Sequence, residues 1–169
     1  MAAGATYEPI ATTTLSSASP TVTFSSISSS YTDLVLVAQL TTAAATNMRI
    51  RFNGNTASNY GSTHMAGTGG GTIGNSETTN TAGLIDYNGG YPGGGASSVS
   101  TYVINLNNYS NTTTWKTWLN RASNTSTGTE VTAGVWRQTS AINEIQVRTS
   151  SGGNISVGSI FTLYGIKAA

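Results

Sequence analysis

Apolar and polar residues alternate with a period of two along most of this chain, and that alternation predicts strands. Met48, Ile50 and Phe52 alternate with Arg49, Arg51 and Asn53, the pattern of a half-buried strand with its arginines on the polar face. Tyr102, Ile104 and Leu106 alternate with Thr101, Val103 and Asn105 in the same way. Within "TEVTAGVWRQTS", Val131, Ala133 and Val135 share one face, and Thr132, Gly134 and Trp136 share the other. "NEIQVRTS" sets Ile145 and Val147 opposite Glu144, Gln146 and Arg148. "LVLVAQL" (Leu34 to Leu40) and "SIFTLYGI" (Ser159 to Ile166) are apolar on both faces, as expected of central strands covered on each side.

Turn signals separate these runs. Asn53-Gly54, Asn88-Gly89-Gly90, Gly93-Gly94-Gly95, Thr127-Gly128 and Gly152-Gly153 supply the positive φ that tight hairpin turns require. No segment shows a helical stripe with caps. About ten strands follow, near 6–14, 20–27, 33–42, 47–53, 60–67, 81–87, 98–107, 113–123, 129–139, 142–149 and 157–167, some of them irregular. This count and spacing predict an all-β fold: a two-sheet antiparallel sandwich, jelly-roll-like, formed by residues 1–169 as a single domain. Residues 66–98, rich in glycine, break the rhythm and are expected to form a long loop or irregular strands within that domain. Strand topology is not legible in the pattern.

Composition narrows the partners. Charged residues make up 8% of the chain and hydrophobic residues 37%, while Ser and Thr together supply roughly 30%. Aromatic and β-branched residues spread along the chain argue for a folded domain with a neutral polar surface. A formal net charge of +1 gives no electrostatic reason to expect nucleic acid or an acidic membrane as partner. Without cysteine there are no disulfides and no thiolate metal sites. The opening "MAAGATYEPI" does not read as a secretory signal, and no apolar run approaches the ~20 residues of a membrane-spanning helix.

The catalytic inventory is thin. A single histidine, His64, excludes paired-histidine metal motifs, and no G-x-S-x-G elbow supports a triad around it. The six acids, Glu8, Asp33, Glu77, Asp86, Glu130 and Glu144, are scattered singly, so nothing local suggests a carboxylate pair. Gly69, Gly71 and Gly74 match G-x-G-x-x-G formally, but no helical stripe follows to hold a pyrophosphate. No catalytic, cofactor-binding or metal-ligating residue is therefore expected. The four N-x-S/T triplets, at Asn108, Asn111, Asn124 and Asn154, are read as chance in an Asn/Thr-rich chain. The aromatics offer contact surface instead: Tyr87 and Tyr91 lie in the glycine-rich "DYNGGYPGGG", and Trp115 and Trp118 fall on opposite faces of one strand, so that one fills the core and the other an interface.

Several phrases carry a resemblance. "YEPIATTTLSS", "VTFSSISSSYTDLVLVAQL", "RFNGNTASNY", "VINLNNYSNTTTWKT", "GVWRQTSAINEIQV" and "SIFTLYGIKAA", in that order, resemble small virion structural proteins of tailed bacteriophages. The likeness is strongest in "RFNGNTASNY" and "FTLYGIK" and absent from residues 67–97. It implies a non-enzymatic β-sandwich module, without cofactor, on the particle exterior, assembled in the host cytoplasm. The expected role is a capsid decoration or cement protein on the outer surface of the head, a homotrimer bound to the major capsid protein or other virion proteins. The alternative is a tail-fibre or tail-tip module that recognises a host surface glycan through Leu84 to Gly95. Arg49, Arg51, Tyr87, Tyr91 and Trp118 are the expected partner or subunit contacts.

Overall fold

The computed structural model describes residues 6–68, 71–86, 98–150 and 153–167, and twelve strands account for most of them. They are β1 (Tyr7–Thr14), β2 (Thr21–Phe24), β3 (Asp33–Leu40), β4 (Met48–Phe52), β5 (Tyr60–Thr68) and β6 (Gly71–Asn80), then β7 (Gly83–Leu84), β8 (Ser100–Asn107), β9 (Lys116–Asn124), β10 (Gly128–Trp136), β11 (Ile145–Thr149) and β12 (Ile160–Ile166). Among the described residues there is no helix. The strands form an eight-stranded sheet in the order β1-β12-β3-β8-β9-β10-β5-β6 and a four-stranded sheet in the order β2-β11-β4-β7, both antiparallel.

The fold is a jelly-roll-like sandwich with two enlargements. The chain changes sheet at nearly every connection, so β2, β4, β7 and β11 make the small sheet while β3, β5, β6 and β8 to β10 make most of the large one. Treating the β8-β9-β10 meander as one unit and setting β1 and β12 aside leaves the eight elements of a double Greek key. The meander therefore stands where a plain jelly roll has one strand, and β12 with β1 extends the edge beyond β3.

Residues 66–98 contain more regular structure than their composition suggests. The end of β5, all of β6 and the short β7 fall in this span, and β6 pairs along its length with β5. β6 gave no alternating signal because it is an edge strand, exposed at nearly every described position, with no buried face to require apolar residues. Of the formal G-x-G-x-x-G, Gly71 and Gly74 lie in β6, a strand and not a helix, and Gly69 is outside the described residues.

The Asn53-Gly54 turn forms as expected, with φ of 51° and 62°, both left-handed. The strands on either side do not pair with each other: β4 lies in the small sheet and β5 in the large one. Asn53 makes this corner rigid. Its Nδ2 donates to Ala141 O at 2.7 Å, and its Oδ1 accepts from Asn143 and Glu144 N–H at 2.9 and 3.1 Å. Tyr60, first residue of β5, closes the corner by accepting Phe52 N–H at 3.0 Å.

Between the sheets the core divides into an aromatic end and a polar end. Phe52 from the small sheet meets Tyr60, Trp118 and Trp136 from the large one, with ring centroids 5.5 to 6.5 Å apart. Trp118 lies flat in a slot made by two glycines. A Cβ at Gly134 would stand 1.9 Å from its Cζ2, and one at Gly83 would stand 2.3 Å from the same ring. On β10 the face carrying Gly134 and Trp136 therefore turns inward, and Val131 and Ala133 are left on the outside.

Gly134→Ala is expected to destabilise the fold by about 3 kcal/mol, the upper range for overpacking, because the ring it meets is enclosed on all sides. For a chain of this size that lowers Tm by roughly 10 °C. Gly67→Ala, where nothing lies within 4 Å of the added carbon, is expected to leave Tm unchanged or raise it. Thermal melts of the two variants followed by tryptophan fluorescence check the contrast.

Candidate functional site

The outer face of the small sheet gathers three of the seven basic residues. β4 and β11 pair so that Arg49 stands directly opposite Arg148 and Arg51 opposite Gln146, one diagonal step away. Like charges placed this way on adjacent strands repel. Arg49 is neutralised: its Nη1 and Nη2 donate to Glu77 at 2.9 and 3.0 Å, and Nη1 also donates to Ala82 O at 3.1 Å. Glu77 arrives from β6, and Asn80 Nδ2 donates to it as well.

The other two arginines have no such partner. Arg51 Nε donates to Thr81 O at 3.2 Å and Arg148 Nε to Thr149 O at 3.4 Å. Among the described residues neither lies within ion-pair distance of a carboxylate. Burial and the nearby charge of Arg148 both pull the Arg51 pKa down, in that order. With Asn80, Thr81, Ala82 and Ser150 the three arginines line a recess of about 280 Å³. Nothing local in the sequence links Arg148 to Arg51, since the pairing of β4 with β11 spans about a hundred residues; only its polar-face position in "NEIQVRTS" was visible.

The remaining expected contacts fare differently. Tyr87 and Tyr91 lie outside the described residues. Trp118 does not reach the surface: it is 2% exposed, its Nε1 donates to Leu84 O at 3.3 Å, and its indole is the centre of the aromatic core. Trp115, at 58% exposure, is the one that faces outward.

The outer face of the large sheet is broad and nearly uncharged. Among the described residues of β5, β8, β9 and β10 its one charged side chain is Arg121, and at its margin the Arg137 guanidinium, just past β10, lies over Gly61 and Val135. Met65, Leu119 and Val131 are exposed on it, and Ile160 continues the apolar character on β12.

Polar and titratable groups also collect inside the sandwich. The segment 81–86 crosses the inner face of the large sheet, and side chains of that sheet satisfy its backbone. Ser62 Oγ accepts Leu84 N–H at 3.0 Å, and Asn120 Nδ2 donates to Ile85 O. Asp86 is fully buried, accepts Met48 N–H at 2.6 Å and hydrogen-bonds the Tyr102 hydroxyl. Glu130 is buried two residues from Thr132, whose hydroxyl donates to it at 2.9 Å. His64 pairs in register with Thr132 and is buried too, which pushes its pKa down. Folding thus brings Asp86 and Glu130 near each other, a proximity the sequence does not announce. Among the described residues no group of three or more His, Asp and Glu side chains is placed to hold a metal ion. Both acids are closed off from solvent and tied to the fold, so the arrangement serves the packing of the segment.

Compared with known protein families, the chain matches none, and no curated protein matches it.

Burial pushes the Asp86 carboxyl up to about 8, with the charge of Glu130 adding to the rise. Between the ordinary carboxyl value near 4 and pH 8, the folded chain holds a proton that the unfolded chain has released. Stability therefore falls as pH rises through that window. From pH 7.5 to 8.5, above the range in which an unfolded histidine titrates, Tm is expected to decline in the native chain and to stay flat in Asp86→Asn, whose amide keeps an acceptor for Met48 N–H. Tm measured across that range checks the slope.

Proposed function

We propose that this chain is a non-enzymatic structural protein of a bacteriophage particle, a decoration or cement protein that binds the outer surface of the head and stabilises the shell. It would be assembled in the host cytoplasm, work as a homo-oligomer, a trimer by the resemblance, and take the major capsid protein or another virion protein as partner. The observation that carries this reading is the outer face of the large sheet: a wide, almost uncharged surface with exposed Met65, Leu119 and Val131. A large exposed apolar surface rimmed by polar side chains marks a protein contact. The sequence phrases quoted above supply the particle and the exterior location.

The acids point the same way. Asp86 and Glu130 are buried, Glu77 is held by Arg49 and Glu8 by Lys167. What remains exposed is a surface for contact, built largely of Ser, Thr and Asn. The tail-tip alternative rested on Leu84 to Gly95; Leu84 to Asp86 are core residues and the rest of that stretch is outside the described residues, so no specific observation favours it.

A protein that binds only the assembled shell stabilises it by mass action, about 2.7 kcal/mol per site at a hundredfold excess over Kd. Added to purified shells that lack it, the chain is expected to co-sediment in stoichiometric amounts and to raise the temperature at which the shells disrupt. Absence of both effects would overturn the proposal.

A further inference from the structure

We propose that the recess between Arg51 and Arg148 receives a carboxylate side chain from an acidic segment of the protein onto which this chain docks. The identity of that partner as a virion protein rests on the proposed function; the carboxylate chemistry of the site does not.

The geometry carries it. Two adjacent strands project three guanidinium groups to one face, and the single acid that reaches them, Glu77, is spent on Arg49 in a two-pronged pair. Arg51 and Arg148 each use one N–H on a backbone carbonyl, which leaves the paired terminal nitrogens of both for another acceptor. A planar guanidinium matches a carboxylate in two parallel hydrogen bonds, and two of them side by side hold one such group or two neighbouring ones. Keeping these charges together without counter-charge is unfavourable in the free chain, which is what a site awaiting its complement looks like.

A second copy of this chain offers little counter-charge: Glu8 and Glu77 are ion-paired and Asp86 and Glu130 are buried, which leaves Asp33, bonded to Asn108 N–H at 2.7 Å, and Glu144, on the arginine-bearing face itself. Dimerisation of the free chain that is lost in Glu144→Gln would make a second copy the occupant and overturn the inference. The recess does not suit a sugar acid: its lining contains no aromatic ring on which a pyranose would stack. A formal net charge of +1 gives no field to draw in a polyanion such as nucleic acid, and an acidic polypeptide is the occupant these charges favour.

The test titrates the full chain with an acetylated, amidated Asp/Glu hexapeptide, its Asn/Gln counterpart and an oligogalacturonate, at low salt, with binding read from arginine Nε–Hε NMR shifts. The acidic peptide is expected to move Arg51 and Arg148 and to bind at least about tenfold more weakly to Arg51→Gln and to Arg148→Gln. Arg121→Gln, on the opposite face, is expected to bind as the native chain does. Both recess variants should melt no lower than the native chain, because each removes repulsion, so weaker binding would not reflect unfolding. No peptide binding, equal loss in Arg121→Gln, or preference for the oligogalacturonate overturns the inference.

A parallel arm separates it from the proposed function. Should shells bind the native chain and the Arg51→Gln/Arg148→Gln double variant equally, the inference falls and the function stands. Should shells bind neither, the function falls and the peptide titration alone decides the inference.

Discussion

The sandwich is held in register by one ring. Trp118 projects from β9 into a slot whose floor is Gly134 on β10 and whose roof is Gly83 on β7, and it touches Phe52 across the gap between sheets. In a chain with only 8% aromatic residues, burying two tryptophans, Tyr60 and Phe52 together concentrates much of the available apolar surface at one end. The cost is borne by sequence: two strand positions must be glycine, and the neighbouring face of β10 must turn its valine outward. The open, weakly charged outer surface is thus partly a consequence of how the core is filled.

The other end of the core is polar for a different reason. Segment 81–86 joins β4 along one edge, through the β7 pairing and through Ile85 and Asp86 N–H to Met48 O, while its groups that face the large sheet have no ladder to join. Ser62, Asn120 and Trp118 supply hydrogen bonds on that side one by one. Asp86 completes the arrangement by taking Met48 N–H at the edge of β4. Buried polar residues here fix the path of a backbone. That explains why two acids can meet in the interior without forming a site open to substrate.

Much of this was legible in the chain. Where one face of a strand is buried and the other wet, as in β4, β8 and β11, alternation named both the strand and its inner residues correctly, because burial selects every second side chain. The same logic failed where it had to. β6 buries no face, and its Gly, Asn, Ser and Thr look like loop. β10 buries glycine and threonine beside its tryptophan, so side-chain hydrophobicity pointed to neither face until the Trp118 slot was visible. Trp118 was expected at a surface because spacing separates it from Trp115 without saying which of the two turns in. At the arginine recess, Arg49 and Arg51 were legible as a polar face, but Glu77 and Arg148 enter only through pairings fixed by the global fold.

The two sides of the sandwich differ in a way that bears on how such a module would sit on a particle. The small sheet gathers three arginines in one recess, and the large sheet carries a wide surface on which Arg121, with Arg137 at the margin, is the charge met across four described strands. Paired charges on a partner confer orientation and exclude wrong partners, whereas broad neutral surfaces confer area with little directional preference. Under the proposed function both faces make contacts: the arginines of the small sheet orient the module on an acidic partner, and the large-sheet face supplies area against virion proteins or neighbouring copies. An arrangement that instead buries Arg51 and Arg148 against an identical subunit would offer them Glu144 as the acid on the facing surface, so two guanidinium groups would share one carboxylate and the leftover buried charge would make it the less stable arrangement.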